Sequence, residues 1–379
     1  MSTCTPAFRP FAALASACAL AVSLGAASAV WASESIKLGI VQPMTGPNKQ
    51  YGDQIVAGAM TAIETINAAG GVNGRKIEPI LIDDGCEPKQ AVPAANQVIK
   101  SGAKFAVAHA CSGTAVPAVN VYEEERIVGI TPGATSPLVT DTIKPHFFFR
   151  TGGRDDQQGP FAARYILTAI KPSKIAVLHD KQTYGFGVAN EVHKTLKEQG
   201  ANIVMFESIN AGDNDYSAVI TKLKAQGADM VYYGGYHAEL GLLLRQAREQ
   251  GLSAQFMAPD GAANPDLVAI AGHATDGLLV TMGADFTKRP ENAQILAVFQ
   301  KAGREPEGTF QLPAYAAVEV IAQSIAAVGD DPVKVADHMH SSRFDTAVGT
   351  VEYDAKGDLK TFEFAVYRWD AQGRRQQVQ

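Results

Sequence analysis

The residues best suited to bind a small molecule directly follow predicted strands. Ser112 opens a predicted helix, so its hydroxyl and the free N–H groups of the first helical turn suit a carboxylate. The segment Gly133-Ala134-Thr135 lets the backbone approach a ligand closely, and Thr135 adds a hydrogen-bond donor and acceptor. Asp260 supplies one negative charge, which suits an ammonium group. Together these residues favour a site for a zwitterion.

Three tyrosines in similar positions suggest the rest of the ligand. Tyr51, Tyr184 and Tyr236 can form an apolar wall with polar tips, as a small apolar side chain would require. Each feature is ordinary alone, since serine is a common N-cap and aspartate before glycine is common in turns. Their joint occurrence after strands in both halves of the chain is the informative observation.

Signals of catalysis are weak by comparison. His109 and Cys111 are two residues apart, so on a strand they would point the same way, but a disulfide at Cys111 would remove it as a nucleophile. The chain has no Gly-x-Ser-x-Gly elbow, no Walker loop and no Gly-x-Gly-x-x-Gly after the first strand. The eight histidines lack metal-site spacing, and Asp83-Asp84 is interpreted as loop capping. The sequence therefore predicts no enzyme, no metal and no cofactor.

The elements that would position these residues alternate between short apolar strands and amphipathic helices. Strands are predicted at 36–41, 76–83, 105–109, 127–131 and 147–150, and a second series at 175–178, 203–207, 230–233 and 255–258. This order predicts two parallel sheets with helices on both faces, an α/β fold of two Rossmann-like lobes. Ligands of such sheets bind outside the carboxyl ends of the strands.

The end of the chain departs from this alternation. Helices near 292–301, 313–327 and 333–340 precede two late strands at 349–353 and 361–368, which are expected to return to the lobes. Repeated crossing between lobes would form a hinge. The predicted domains are residues 33–153 with 284–360 for the N-terminal lobe, and 154–283 with 361–379 for the C-terminal lobe.

Residues 1–32 are predicted to be a secretory signal peptide, because no charge occurs from Phe11 to Ala32 and the run is rich in small residues. Cleavage is expected after Ala32, or after Ala29 at the earlier small-residue site; a retained membrane anchor is the alternative. Export would place the protein in the periplasm. The chain of 379 residues carries a net charge of −6 and no basic stripe, which argues against a nucleic-acid partner.

Cysteine usage agrees with export. Cys4 and Cys18 would leave with the signal peptide, while Cys86 and Cys111 would remain as an even pair in an oxidising compartment. We predict one disulfide between them; two buried free thiols are the alternative.

Several stretches together resemble the periplasmic leucine/isoleucine/valine-binding proteins of bacterial ABC importers. They are residues 50–54 (QYGDQ), 83–91 (DDGCEPKQA), 130–135 (ITPGAT), 179–185 (HDKQTYG), 231–237 (VYYGGYH) and 356–360 (KGDLK). The resemblance covers about residues 33 to 370. It implies a type I periplasmic binding protein fold, with two lobes joined by three crossovers, and it matches Cys86 and Cys111 to the family disulfide.

The resemblance also implies a role for each site residue. Ser112 and Thr135 would hold the α-carboxylate, and the Gly133 carbonyl and Asp260 would hold the ammonium. Tyr184 and Tyr236 would line the pocket from the second lobe. Tyr51 and Phe310 would lie against the ligand side chain. The family typically has glutamate at the position of Asp260 and alanine at that of Gly133, and both departures are expected to leave a roomier pocket.

The implied function is capture of a branched-chain amino acid by hinge closure and delivery to an inner-membrane ABC permease, by a monomer without covalent chemistry. The same fold also occurs in sensors and in regulators that bind amides or urea, so a sensor or a binder of another small amino acid, amide or urea is the alternative.

Overall fold

The structure is a computed structural model that describes residues 1–5, 34–306 and 308–378. Most of the predicted signal peptide, including both cleavage candidates, lies outside the described residues. The strands are β1 (Ile36–Gln42), β2 (Ile77–Asp83), β3 (Phe105–Ala108), β4 (Val128–Thr131), β5 (Phe148–Arg150), β6 (Ile175–His179), β7 (Ile203–Ser208), β8 (Met230–Gly234), β9 (Gln255–Ala258), β10 (Leu279–Gly283), β11 (Arg343–Thr346), β12 (Gly349–Glu352), β13 (Phe364–Trp369) and β14 (Arg375–Gln377).

The helices alternate with these strands over most of the chain. They are α1 (Lys49–Ala68), α2 (Ala91–Ser101), α3 (Ser112–Glu125), α4 (Leu138–Asp141), α5 (Asp155–Tyr165), α6 (Thr183–Glu198), α7 (Ser217–Gln226), α8 (His237–Glu249), α9 (Asp266–Ala271), α10 (Ala293–Lys301), α11 (Gln311–Val328) and α12 (Pro332–Ser341). Among the described residues, α11 is long and apolar enough to cross a membrane, but 72% of it is buried inside the protein. It is therefore a core helix in this structure.

The first sheet has five parallel strands in the order β2-β1-β3-β4-β5. Successive side chains of a strand point to opposite faces. In β3, Phe105 and Val107 join the core beneath α1 and α11, whereas Ala106 and Ala108 join the core beneath α2 and α3. Both faces are covered, which explains why this strand is apolar at every position. We call this sheet and its helices the first lobe.

The second sheet has seven strands in the order β14-β13-β10-β9-β8-β6-β7, and β13 alone runs against the others, pairing antiparallel with both β10 and β14. Ala176 and Leu178 of β6 face one core, while Ile175 and Val177 face the other. We call this sheet and its helices the second lobe. Of the two predicted late strands, β13 joins this sheet beside β10, whereas β12 pairs with β11 in a separate two-stranded sheet and packs Val351 into the core of the first lobe.

The chain passes between the lobes after β5, after β10 and after β12. The predicted fold class is confirmed, whereas the residue limits given for each lobe stay a prediction. Helix α5 was not predicted from the sequence. It begins with four polar residues and contains Gly159 and Pro160, so its apolar periodicity is weak.

A buried ionic cluster joins the first and third of these connections. Asp358 accepts a hydrogen bond from Arg150 Nε at 2.5 Å, one from Arg154 Nη1, and one from Thr140 Oγ1 at 2.9 Å. Arg154 also pairs with Asp141 at 2.9 Å. Arg150 is 1% exposed and Asp358 2%, so these charges depend on each other rather than on water. The cluster fixes two crossover segments relative to each other.

Candidate functional site

A small cavity lies where the two lobes meet, at the carboxyl ends of strands from both sheets. It is lined by Tyr51, Ala110, Cys111, Ser112, Gly133 and Phe310 from the first lobe, and by Tyr184, Tyr236, Asp260 and Gly261 from the second. A larger adjoining cleft of about 740 Å³ is lined by residues that include Thr135 and Asp260. The topology therefore brings together residues as far apart in the chain as Tyr51 and Phe310, which are separated by 259 positions, at the place where open α/β sheets bind ligands.

Of the nine ligand-binding residues predicted from the sequence, Ala134 alone lines neither the cavity nor the adjoining cleft. Its backbone N–H donates to Thr131 Oγ1 at 2.8 Å, and its carbonyl accepts from Arg150 Nη1 at 2.8 Å. Both backbone groups of Ala134 thus serve the loop and the ionic cluster.

Four aromatic rings form the apolar wall of the cavity. Ring centroids are 5.9 Å apart for Tyr51 and Tyr236, 5.8 Å for Tyr51 and Phe310, and 5.2 Å for Tyr184 and Tyr236. These tilted and edge-on arrangements are the favourable ones for aromatic side chains. All four rings are buried, so the wall offers an apolar surface to an apolar group.

The polar groups of the first lobe cluster at the start of α3. Ser112 is the first residue of that 14-residue helix, and its Oγ accepts the Ser136 N–H at 3.1 Å. The Thr135 Oγ1 is buried and lies beside the Asp155 carboxyl. Free N–H groups and the positive end of the helix dipole favour an anion here. This side of the cavity can therefore hold a carboxylate.

Asp260 supplies the opposite charge from the second lobe. It follows β9 in a single turn of 3₁₀ helix, and its Oδ1 accepts a hydrogen bond from the Tyr184 hydroxyl at 2.6 Å. The same hydroxyl accepts the Gly261 N–H at 2.8 Å, so Tyr184 fixes this turn. Burial raises the pKa of Asp260 above its ordinary value. A cation beside the carboxylate would reverse that shift.

A second buried carboxyl, Asp155, was missed by the sequence analysis. It starts α5, its backbone N–H donates to the Thr135 carbonyl at 3.0 Å, and its buried carboxyl lies beside the Thr135 side chain, whose hydroxyl lowers its pKa against the larger effect of burial. Burial, with a smaller contribution from the charge of Asp260, raises the pKa of Asp155 to about 8. Asp155 lines neither the cavity nor the adjoining cleft, so it acts on the site through its electrostatic interaction with Asp260.

The sequence did contain a signal for Asp155. The predicted strand at 147–150 is followed by residues 151–158 (TGGRDDQQ), a polar segment after a strand like those at the other candidate positions. Asp180, which also follows a strand, is likewise not among the residues lining the cavity, and its Oδ1 accepts the Gln182 N–H at 2.9 Å.

Gly133 does not enlarge the pocket in the way the resemblance suggested. A Cβ at this position would lie 3.0 Å from the Ala110 carbonyl oxygen and 3.3 Å from the Ala110 Cα. The missing methyl group therefore faces the neighbouring backbone, and Gly133 allows two loops to approach each other.

Cys86 and Cys111 form a disulfide, as predicted. His109 Nδ1 lies 2.6 Å from a carboxylate oxygen of Asp84, and its Nε2 lies 3.1 Å from the Tyr122 hydroxyl. Cys111 and His109 are thus both engaged in structural contacts, and they do not form a nucleophile and base. Across residues 1–5, 34–306 and 308–378, no group of three or more His, Cys, Asp or Glu is placed to hold a metal ion.

Comparison with known proteins finds relatives over nearly the whole chain. A family profile described as "Periplasmic binding protein" matches residues 35–374. The leucine-, isoleucine-, valine-, threonine- and alanine-binding protein of Pseudomonas aeruginosa is 47% identical over 371 residues, 98% of this chain and 97% of the relative. The Leu/Ile/Val-binding protein of Escherichia coli K12 is 45% identical over 341 residues, 90% of this chain and 92% of the relative.

Solved structures show the same architecture. The leucine-binding protein LivK of Thermotoga maritima has a TM-score of 0.84 at 27% identity, covering 91% of this chain and 98% of its own. The substrate-binding protein LivJ of Streptococcus pneumoniae, in complex with isoleucine, has a TM-score of 0.82 at 25% identity, covering 90% and 98%.

Proposed function

Because the chain belongs to the periplasmic binding protein family, we propose that it captures leucine, isoleucine or valine between its lobes and delivers it to an ABC permease. One observation carries the proposal: a buried cavity between the lobes is lined by Ser112 at the start of α3, by the Asp260 carboxyl and by four aromatic rings. That arrangement matches the carboxylate, ammonium and aliphatic side chain of such an amino acid. The names of the relatives support the ligand class.

Each lobe contributes a different part of the ligand's recognition. The first lobe offers the start of α3 with Ser112, and Thr135 beside it, to the carboxylate. The second lobe offers Asp260 to the ammonium, and the buried carboxyl of Asp155, outside the cavity lining, interacts with Asp260 through its charge. Neither lobe alone holds both charges, so tight binding requires the lobes to be closed.

Closure also follows from the contact between lobes. The Tyr51 hydroxyl donates to the Gly261 carbonyl at 2.5 Å across the cleft, so a ligand reaches the cavity only when the lobes separate. Hinge motion at the crossovers then links ligand binding to the relative position of the two lobes, and a permease would recognise the closed arrangement. No covalent step is required, and we assign the protein no catalytic activity.

The proposed location is the periplasm, reached through the N-terminal signal peptide. The Cys86–Cys111 disulfide supports an oxidising compartment. The partners proposed are the amino acid and an inner-membrane permease complex, with the protein itself acting as a monomer.

Calorimetric titration of refolded, ligand-free protein against the twenty amino acids, acetamide and urea tests the proposal. We expect leucine, isoleucine and valine to bind with heats that saturate at one ligand per chain, and charged amino acids to give none. Small-angle scattering should show a smaller radius of gyration with a ligand that binds. Saturable binding of acetamide or urea alone, or a radius unchanged by a tight ligand, would contradict it.

A further inference from the structure

Two neighbouring residues of α1 make hydrogen bonds across the cleft. The Tyr51 hydroxyl donates to the Gly261 carbonyl at 2.5 Å and lies 2.7 Å from His237 Nδ1. The Gln50 side chain donates to an Asp266 carboxylate oxygen at 3.0 Å. Both pairs join the first lobe to the second, away from the crossover segments. They hold α1 against the starts of α8 and α9.

The hydrogen bonds of the Tyr51 hydroxyl determine which nitrogen of the His237 imidazole carries a hydrogen. A phenol has one hydrogen, and the Gly261 carbonyl can only accept, so the Tyr51 hydrogen is directed to Gly261. The His237 Nδ1 must then carry a hydrogen and donate it to the Tyr51 oxygen. The imidazole thus orients the hydroxyl that joins the lobes, together with the Asn264 side chain and the His237 backbone N–H, which also interact with Tyr51.

His237 is buried at this interface. It is the first residue of α8, directly after the cavity residue Tyr236, and it is 3% exposed. Its ring lies edge-on to that of Tyr51, with centroids 5.5 Å apart. Because Tyr51 belongs to the other lobe, separation of the lobes removes this cover and admits water to the imidazole.

We propose that His237 is a positioning residue for ligand capture, which holds the Tyr51 hydroxyl on the Gly261 carbonyl, latches the closed lobes and releases them in acid. This inference rests on the proposed function, since it concerns how the same cleft keeps its ligand. His237 itself lies outside the set of cavity-lining residues.

The charged groups near His237 leave its neutral imidazole favoured in the closed protein. Asp266 of α9 faces the imidazole and favours its protonation, yet burial is the larger effect and lowers the pKa of His237 to about 4. Asp260 after β9 and Glu239 on α8 act on the Tyr51 hydroxyl, where their charges oppose its ionisation. In the open protein the imidazole meets water and regains the ordinary pKa of about 6.5.

The sign of the pH effect follows from these two states. The closed state disfavours the imidazolium, so a proton bound below pH 6.5 shifts the population to the open state. Ligand retention therefore weakens as pH falls from about 6.5 towards 4. Between pH 8 and pH 5.5 this coupling predicts about a tenfold loss of affinity due to His237.

Leucine binding to the full mature chain is measured by calorimetry at pH 8 and pH 5.5, for wild type, His237→Ala and His237→Asn. The alanine variant should bind about tenfold more weakly at pH 8, because one buried hydrogen bond is lost. Asparagine keeps an N–H donor and cannot titrate, so it should recover most of that loss and remove the tenfold acid effect. Asp155 and Asp260 are unchanged in both variants, so the difference from wild type isolates His237.

His193→Asn is the matched control, because His193 stacks on Phe206 of β7 with ring centroids 4.3 Å apart, outside the set of cleft-lining residues. This control should follow the wild-type pH profile. An asparagine variant at 237 with the wild-type acid response, or an alanine variant with wild-type affinity at pH 8, overturns the latch and leaves the proposed function standing. Wild type that binds no leucine at pH 8 overturns both.

Discussion

Replacement of Asp260 by asparagine removes one charge from the proposed ammonium site and little else. The side chain keeps its size, and the Tyr184 hydroxyl can still donate to an amide oxygen at the place where it now meets Asp260 Oδ1 at 2.6 Å. The turn at Gly261 should therefore survive, since its N–H is held by Tyr184 at 2.8 Å. The change tests the charge separately from the shape of the site.

The expected loss in binding free energy follows from what remains in the site. Truncating one partner of a buried charge pair generally costs about 2–5 kcal/mol. Asp155 leaves a second buried carboxyl beside the site, and loss of the Asp260 charge lowers the pKa of Asp155 because a repulsive neighbour is gone. The loss should lie near the lower end, about 2–3 kcal/mol, or roughly 30- to 150-fold in the dissociation constant of leucine.

Calorimetric titration of leucine into Asp260→Asn, Asp260→Glu and Asp180→Asn measures this loss. The glutamate variant keeps the charge and should retain binding, with a changed order of preference among leucine, isoleucine and valine. Asp180→Asn should bind as wild type does, because Asp180 does not line the cavity. Thermal melts confirm that each variant is folded. A dissociation constant for Asp260→Asn within twofold of wild type, together with a large loss in Asp180→Asn, would refute the assignment.

Three further predictions concern stability. Asp155→Asn should stabilise the ligand-free protein more at pH 8 than at pH 5, because the carboxyl ionises from about pH 4 in the unfolded chain but has a pKa of about 8 in the folded one. Thermal melts at both pH values measure this difference, and an equal stabilisation at both would contradict it. Asp358→Asn should lower the free energy of unfolding by about 3–5 kcal/mol, because Arg150 is left buried with a neutral partner. Urea unfolding measures this loss, and a change below about 1 kcal/mol would contradict a stabilising role for the ionic cluster. Replacing Cys86 and Cys111 by serine should lower the free energy of unfolding by about 3 kcal/mol, because the disulfide closes a loop with a sequence separation of 25. Thiol titration of unreduced, denatured wild type should find both thiols blocked, and two free thiols would contradict the disulfide.

The local elements could be predicted because their signals lie in contiguous residues. Apolar runs such as Phe105–Ala108 are buried on both faces, and this marks a central parallel strand in any fold that contains it. Glycine-rich and polar segments after such strands indicated Ser112, Thr135 and Asp260, since the carboxyl ends of parallel strands gather at one edge of a sheet. The even cysteine pair indicated the disulfide.

The tertiary structure decided what depends on pairs far apart in the chain. Tyr51 and His237 are 186 residues apart, and Arg150 and Asp358 are 208 apart, so no local pattern relates them. The role of Asp155 likewise depends on burial beside Asp260, which follows from how the lobes meet. The local helix or strand that a residue joins is largely set by its sequence neighbours, but its charge state and hydrogen-bond partners are set by the dielectric and the groups that the folded lobes place around it.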